Sequence, residues 1–163
     1  DEIKRLYRGA RAQRPVLLTA ETPSGLIVGT YTAQPPGRGS RASEGGLLAV
    51  DENYRRKGVA SKLIKAGNAL MFREGDGGFG CNLADVYVII GVSSYSNALD
   101  AFRKEGFAIK EQRVGGTNSW SHELEKLVDR TSIHMTLERT QYKQDLPGHH
   151  IEDFPKQRPP KPA

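Results

Sequence analysis

The sequence predicts an α/β fold in a single domain. Residues 16–21 and 26–33 are rich in Val, Leu, Ile, Thr and Tyr, and the turn-forming run 22–25 between them indicates a β-hairpin. Beyond this hairpin, short apolar runs alternate with segments of helical periodicity. At 163 residues the chain can bury a hydrophobic core without disulfides or a structural metal.

The composition describes a soluble, globular chain. Hydrophobic residues make up 37% and charged residues 26%, and no apolar run is long enough to span a membrane. The chain opens on Asp1 without a secretory leader, which favours a cytoplasmic setting, with a nuclear one as the alternative. A net charge of +5 suits nucleic acid, a nucleotide coenzyme or solubility alone. Composition therefore excludes membrane insertion and leaves the partner open.

The cysteine and histidine pattern argues against metal and covalent chemistry. Cys81 is the only cysteine, so the chain forms no internal disulfide, and its spacing from histidines gives no zinc pattern. No recognisable base lies beside Cys81, which argues against a nucleophilic thiol. We therefore expect no metal and a catalytic group other than cysteine.

The first residues carry a helical pattern. Residues 2–12 place Ile3, Leu6 and Ala10 at helical spacing, and Pro15 ends the pattern. The sequence thus predicts a short amphipathic helix before the first hairpin.

The middle of the chain predicts a loop, a strand and a helix in order. Residues 34–41 have loop composition, and 46–50 form a short apolar strand. Helical periodicity starts at Ala60 and ends near Gly75. A glycine-rich connection then leads to 83–90, a run apolar enough to be a central strand buried on both faces.

A second helix and two strands follow. Ser96 or Asn97 can cap a helix that Gly106 ends. Residues 107–110 and 133–137 predict two strands separated by a long segment.

The end of the chain differs in composition from the rest. The last twenty or so residues hold five of the nine prolines and lack a periodic apolar face. We therefore predict a domain over 1–140 and a flexible Pro/Lys-rich tail over 141–163.

A cationic, glycine-containing turn opens the first long helix. Arg55, Arg56 and Lys57 precede Gly58. Helix-start N–H groups lack intrahelical partners, the helix dipole favours an anion there, and glycine permits close backbone approach. The pattern therefore suits a phosphate group, although such a string also occurs as a solvated basic turn. The cationic turn matches neither the P-loop pattern nor the Gly-x-Gly-x-x-Gly pattern of a dinucleotide-binding fold.

Two ordered motifs resemble those of the GNAT acetyltransferase superfamily. In that family a strand is followed by Gln/Arg-x-x-Gly-x-Gly/Ala, matched here by 48–50 and then Arg55, Gly58 and Ala60. A second family element, an Asn-led helix ending in Gly-Phe, is similar to residues 97–107.

The resemblance covers roughly residues 16–137 and implies a fold and a coenzyme. It implies a central mixed, mostly antiparallel sheet with a splayed strand pair, flanked by helices. Acetyl-CoA would lie where the strand ending at Val50 splays from the one ending near 90–92, with its pyrophosphate on the cationic turn. The coenzyme-binding residues implied are Leu48, Ala49, Val50, Arg55, Arg56, Lys57, Gly58, Val59, Ala60, Ser61, Asn97 and Phe102.

The chain departs from the family pattern in two places. Family members usually begin with a strand and two helices, whereas only one helix is predicted before the first hairpin. The position where many members carry a tyrosine that protonates the departing thiolate aligns with Phe102. Tyr95 lies nearby and is the candidate substitute, with a surface or packing role as the alternative. Asn97 would reach the coenzyme or a water, or act as a helix cap.

The resemblance also implies catalytic residues. Glu44 lies six residues before Val50, a position resembling that of the glutamate base in the family's histone acetyltransferases. Its alternative role is an edge-strand surface carboxylate. The backbone N–H of Val50 is a candidate oxyanion donor. Trp120 and His122 fall in the segment that often borders the acceptor site, and His122 suits proton transfer at neutral pH.

The segment between the last two predicted strands is acidic. It contains Glu123, Glu125 and Asp129, which is consistent with a cationic amine as the acceptor. His134 falls in the last strand, where a structural role is expected.

The resemblance implies an acetyl-CoA-dependent N-acetyltransferase that moves an acetyl group directly to a primary amine of a small molecule, polyamine or protein. One alternative is a non-catalytic acyl-CoA-binding module that lost its acid at Phe102. Another is a docking domain for protein or nucleic acid, which the lack of interleaved aromatics disfavours. A homodimer stays open, and neither a membrane nor a metal is expected.

Overall fold

The computed structural model describes residues 2–6, 14–75, 77–89, 96–121 and 126–145. Seven strands are found there: β1 (Glu2–Leu6), β2 (Val16–Glu21), β3 (Ile27–Gln34), β4 (Ala42–Val50), β5 (Leu83–Ile89), β6 (Ala108–Ser121) and β7 (Lys126–Glu138). The helices are α1 (Val59–Phe72), α2 (Ser96–Lys104) and α3 (Arg139–Asp145), with a 3₁₀ turn at Glu52–Tyr54.

The strands form one mixed sheet in the order β1-β2-β3-β4-β5-β7-β6. Neighbouring strands are antiparallel, apart from β4 and β5, which run parallel. The predicted fold class, a mixed and mostly antiparallel sheet flanked by helices, is therefore confirmed.

The parallel pair separates soon after it begins. Strands β4 and β5 pair at four positions within the described residues, ending at Gly45 and Val86. Beyond that apex β4 stays registered with β3 as far as Val50. A bulge at Leu47, whose φ is 48°, shifts the register and turns β4 away from β5. The gap beyond Gly45 and Val86, called the split below, is the splayed strand pair that the resemblance implied.

One side of the sheet, the covered face, carries the helices. Side chains from α1, α2 and the strands form a single buried cluster. Tyr31 of β3 is fully buried beneath α1, and its ring lies where a Cβ at either Gly45 or Gly67 would stand. Two glycines thus make the space that one aromatic ring fills. Tyr142 of α3 stacks on Phe72 with ring centroids 4.9 Å apart, which docks α3 on the same core.

The other side, the open face, carries Glu44, Asp85, Tyr87 and His134. Along β5 the even-numbered Ala84, Val86 and Val88 are buried, whereas Tyr87 is 53% exposed. The prediction that this strand is buried on both faces is wrong, because the described helices contribute to one core cluster on one face only. The apolar run nevertheless correctly indicated a central strand.

The first residues form a strand instead of the predicted helix. Residues 2–6 pair antiparallel with β2, from Glu2↔Glu21 to Leu6↔Leu17. The three-residue spacing of Ile3 and Leu6 fits a helix locally, but pairing with the free edge of β2 satisfies the backbone groups instead. Residues 7–12, the remainder of the predicted helix, lie outside the described residues.

The segment predicted to separate two short strands is itself largely strand. Strands β6 and β7 pair from Ala108↔Thr136 to Ser121↔Lys126, with a register shift near Gly115 and Gly116, whose φ values are positive. β5 pairs with β7 only from residue 132 onward, so the remainder of this hairpin extends past β5. A short-range apolar pattern could not report this pairing, because exposed residues such as Leu127, which pairs with Trp120, carry it.

The end of α3 and the start of α2 both bear on predictions from the sequence. Helix α3 continues to Asp145, so residues 141–145 are helical and the predicted start of the tail at 141 is wrong; residues 146–163 lie outside the described residues. Helix α2 begins at Ser96, directly after residues outside the description, so capping by Ser96 or Asn97 stays a prediction.

Candidate active site

The turn between β4 and α1 has the geometry of an anion site. Gly58 is the N-cap of α1 with φ 78° and ψ 12°, and no side chain caps the helix. A Cβ at Gly58 would meet nothing within 4 Å, so its left-handed backbone, and not crowding, is what favours glycine. The first intrahelical bond runs from the Lys62 N–H to the Gly58 carbonyl at 3.1 Å. The N–H groups of Val59, Ala60 and Ser61 therefore remain free of intrahelical partners at the positive end of the helix dipole.

The start of α1 is fixed by packing against β3. The Val59 side chain is buried, and a Cβ at Gly29 of β3 would stand 2.9 Å from its Cγ1. Helix α1 can therefore approach the sheet closely at the residue where its free N–H groups begin. This contact holds those N–H groups in place before any ligand arrives.

Basic side chains surround the turn. Arg55, Arg56, Lys57 and Lys62 are all exposed. The Arg55 Nε donates to the Val50 carbonyl at 3.2 Å, which ties the turn to the end of β4. The Lys57 Nζ lies 5.1 Å from the Tyr54 ring centroid, within cation–π range. The rim of the site is thus electropositive and partly pre-organised.

Ser61 has a different side-chain partner from the one predicted. Its hydroxyl donates to the carboxylate of Glu105 at the end of α2, and Lys65 Nζ lies 4.0 Å from the same carboxylate oxygen. A hydroxyl has one hydrogen to donate, so this bond leaves none for a phosphate oxygen. The side chain of Ser61 joins α1 to α2, and only its backbone N–H remains for an anion.

The split offers backbone groups on the β5 side of β4. The Asp51 N–H bonds to the Val28 carbonyl on β3 at 2.8 Å. Backbone groups of successive strand residues point to opposite edges, so those of Val50 and Leu48 point into the split. Beyond Gly45 they have no strand partner among the described residues. An amide-bearing chain laid in the split could therefore pair with β4 as a strand would.

Phe102 lies in the core and not on the split. It is 4% exposed, with its ring centroid 6.1 Å from that of Tyr31 and 5.3 Å from that of Phe107. The residue that aligns with the family's acid position therefore packs the covered face and has no proton to give. Its predicted coenzyme contact has no support in this placement.

Several predicted residues lie outside the description. Tyr95 and His122 are outside the described residues, as are Glu123 and Glu125. The backbones of Asn97 and Trp120 are described, in α2 and β6, but their side chains are not. The roles predicted for Tyr95, Asn97 and His122 stay predictions.

The open face brings together ionisable side chains from three strands near the apex of the split. Glu44 of β4 is registered with Asp85 of β5, and Tyr87 is registered with His134 of β7. The His134 Nε2 lies 2.9 Å from Asp85 Oδ1, and its ring stacks on Tyr87 with centroids 4.5 Å apart and planes 11° apart. Partial burial, with the carboxylates of Asp85, Glu44 and Glu111, raises the pKa of the Tyr87 phenol.

The sequence interpretation identified only Glu44 in this group. His134 was expected to be structural, and Asp85 and Tyr87 were assigned to a strand buried on both faces. The signal that could have found them is the alternation within 83–89, where Asp85 and Tyr87 share one face and the alanine and valines share the other.

Three other features bear on function: the Cys81 thiol, groups of metal-ligating side chains and the apolar character of the helices. Burial raises the pKa of the Cys81 thiol, which keeps it protonated and unreactive. Within the described ranges, no three His, Cys, Asp or Glu side chains are grouped as metal ligands. Of the helices in those ranges, none has the length and apolar character that crossing a bilayer requires.

Comparisons with known proteins identify the class. A family model described as an acetyltransferase (GNAT) domain matches residues 13–109, more than half of the chain. The chain therefore belongs to the GNAT acetyltransferase family. It is an acetyl-CoA-dependent N-acetyltransferase, as the two motifs implied.

Solved structures of similar fold are acetyltransferases. A chimera of the Vibrio cholerae spermidine N-acetyltransferase SpeG matches 80% of this chain and 72% of its own, with a TM-score of 0.62 and 13% identity. The V. cholerae enzyme in complex with CoA and spermine matches 78% and 68%, with a TM-score of 0.59 and 14% identity. An IAA acetyltransferase from Bacillus cereus matches 77% and 78%, with a TM-score of 0.55 and 21% identity. A search of curated protein sequences finds no match.

Proposed function

We propose that this protein transfers the acetyl group of acetyl-CoA directly to a primary amine, with the coenzyme in the split between β4 and β5. The single observation that carries the proposal is the arrangement of the split. It begins at Gly45 and Val86 and widens toward a turn where Gly58 presents three free helix-start N–H groups. A pyrophosphate and an amide-bearing arm need both features in this order.

The polarity of β4 supports one direction for the coenzyme. The pyrophosphate binds the turn after Val50, so the pantetheine arm extends back along β4 toward Gly45. Its thioester therefore lies near the narrow end of the split. The Leu48 N–H points into the split and lies nearer that end than the Val50 N–H. We infer that Leu48 hydrogen-bonds the acetyl carbonyl, while Val50 pairs with the arm.

Glu44 suits the role of general base on the acceptor side. It is exposed on the open face, one residue before the apex. An amine that approaches from this face must lose a proton as it attacks the thioester carbon. A positioned carboxylate typically contributes about 10²–10⁴-fold to such a transfer. The helices in the described part of the chain pack on the opposite face, which supports the open face as the acceptor side.

Negative charge near the apex supports a cationic acceptor. Glu44, Asp85 and Glu111 all lie close enough to Tyr87 to raise the pKa of its phenol. Carboxylates near the apex favour an amine that carries a further positive charge away from its reacting nitrogen. One structurally similar enzyme is described in complex with CoA and spermine, a polyamine, which agrees with this class.

The test is coenzyme binding followed by turnover. Isothermal titration should show saturable binding of acetyl-CoA and CoA and weaker binding of ATP. CoA thiol release is then measured with spermidine, a lysine-containing peptide and an uncharged aromatic amine. Faster release with the cationic amines supports the proposal. Equal rates with all three would refute the acceptor class, and absence of coenzyme binding would refute the site.

A further inference from the structure

Acetyl transfer to an amine releases CoA as a thiolate. A simple thiol has an ordinary pKa of about 8.5, so its anion is a better leaving group when a nearby acid protonates it. Phe102 cannot do this from the covered face. Tyr95, the candidate from the sequence, lies outside the described residues. Among the described residues, a proton donor has to lie on another element that borders the narrow end of the split.

Tyr87 borders that end. It is the first residue of β5 beyond Val86, the last residue that pairs with β4. Because the pantetheine arm runs from the turn toward Gly45, the reacting thioester lies beside this position. Tyr87 is 53% exposed, so its hydroxyl is not enclosed by the core and is open to a ligand.

The Tyr87 ring is held by its neighbours. It stacks on His134 with planes 11° apart, and His134 in turn is bonded to Asp85 at 2.9 Å. The side chains of His134 and Asp85 are only 15% and 18% exposed, so this pair is a semi-rigid support. Stacking on an imidazole whose orientation a carboxylate sets limits the movement of the Tyr87 ring.

We propose that Tyr87 is the catalytic acid that protonates the departing CoA sulfur, and that His134 and Asp85 are its positioning residues. This inference rests on the proposed acetyl transfer. Partial burial, and after it the carboxylates of Asp85, Glu44 and Glu111 on β5, β4 and β6, raise the pKa of the phenol, so the proton that an acid has to give is retained.

The step balances in atoms and charge. The neutral amine attacks the thioester carbon and forms a C–N bond, and the resulting ammonium gives one proton to Glu44. The C–S bond then breaks, and the electron pair stays on sulfur. The Tyr87 O–H proton moves to that sulfur, and the phenolate regains a proton through solvent from Glu44. In sum, one proton passes from the amine to CoA.

The experiment compares two tyrosine-to-phenylalanine variants. Tyr87→Phe removes the hydroxyl and keeps the stacked ring, and Tyr142→Phe makes the same change on α3, where the ring stacks on Phe72. Acetyl-CoA affinity is measured by titration, and kcat and KM by thiol release. We expect Tyr87→Phe to lower kcat about 10²-fold with unchanged acetyl-CoA Kd and amine KM, and Tyr142→Phe to match the wild type.

Two further measurements separate chemistry from structure. Replacing Tyr87 with a fluorinated tyrosine lowers the phenol pKa without removing the hydroxyl, and should move the alkaline fall of kcat to lower pH. His134→Ala should lower kcat, and His134→Phe, which keeps an aromatic ring against Tyr87, should restore part of it. Both effects should leave acetyl-CoA affinity unchanged.

The outcomes are distinct. If the wild type turns over and the kcat of the Tyr87→Phe variant lies within twofold of the wild-type value, the role of Tyr87 is overturned and the proposed acetyl transfer stands. An alkaline limb that does not move with fluorination would also overturn it. Wild-type protein that releases no CoA with any amine would overturn both proposals.

Discussion

Two tyrosines on opposite faces of the same sheet show how differently the faces are built. Tyr31 of β3 is fully buried under α1, and its hydroxyl has no hydrogen-bond partner among the described residues. Tyr87 of β5 is half exposed and is surrounded by carboxylates. Burial alone raises the pKa of Tyr31, whereas partial burial and neighbouring charge raise that of Tyr87.

On the covered face the shape of the tyrosine ring determines how the residue packs, whereas on the open face the ionisation of the phenol is the property that counts. Tyr31 fills a space that Gly45 and Gly67 leave, and its hydroxyl is a cost of that fit. Tyr87 follows Val86 at the narrow end of the split, where the proposed reaction uses its proton. Substitutions on the covered face should therefore change stability, and those on the open face or at the turn should change binding and turnover.

The largest effect is expected at the turn between β4 and α1. Gly58→Asp places a carboxylate at the proposed pyrophosphate site, so acetyl-CoA affinity should fall more than about 100-fold through charge repulsion and bulk. Gly25→Asp is the matched control, because Gly25 also has a positive φ, of 88°, and open space around its Cβ position. Titration with acetyl-CoA measures both. Equal affinity of the two variants would show that the turn does not hold the coenzyme.

A smaller effect is expected from Glu44 on the open face. Glu44→Gln keeps the shape and removes the base, so kcat should fall about 100-fold while acetyl-CoA affinity is unchanged. Glu138→Gln, an exposed glutamate on the same face at the far end of β7, should retain wild-type kcat. Thiol-release kinetics decide the matter, and similar kcat values for the two variants would assign Glu44 a surface role.

The covered face should respond in stability and not in chemistry. Gly45→Ala places a methyl group against the Tyr31 hydroxyl, and such overpacking typically costs about 1–3 kcal/mol. Gly37→Ala, where a Cβ meets nothing within 4 Å, should cost far less. Denaturant unfolding measures both. In a Tyr31→Phe background the cost of Gly45→Ala should shrink, and a cost that persists there would show that the hydroxyl is not the obstacle.

The smallest effect is a shift in titration. The phenol of Tyr87 should ionise above its ordinary pKa of about 10, because partial burial, and after it the neighbouring carboxylates, disfavour the phenolate. Neutral Tyr87 is thus favoured by folding, and its contribution to stability is lost as the pH rises from the unfolded pKa through the folded one. Carbon-13 NMR of labelled tyrosine follows the titration. Glu44→Gln should lower the Tyr87 pKa, and an unchanged value would show that the Glu44 carboxylate does not act on the Tyr87 phenol.

Local pattern predicted the elements that pack against the core. Helix α1, the hairpin of β2 and β3 and the central position of β5 were all confirmed, because side chains such as Leu63 and Val86 follow the periodicity of the face they bury. The signature of Arg55 and Gly58 likewise predicted a turn at a helix start, because that geometry is encoded in consecutive residues.

Pairing between distant strands could not be predicted in the same way. Glu2–Leu6 forms a strand because β2 offers a free edge, and nothing within those five residues reports that edge. The contact of His134 with Asp85 and Tyr87 depends on the β5–β7 register, which joins residues almost fifty positions apart. The open face therefore became visible only once the register of the sheet was known.

The bulge at Leu47 has a consequence for the dynamics of the free protein. It leaves the β5-facing edge of β4 without a strand partner from Gly46 to Val50 within the described residues. In the absence of ligand, amide protons along this edge should exchange with solvent faster than those facing β3. A pantetheine arm would supply the missing hydrogen bonds and slow that exchange, so the coenzyme would serve as an interior strand that the enzyme takes up and releases in each cycle.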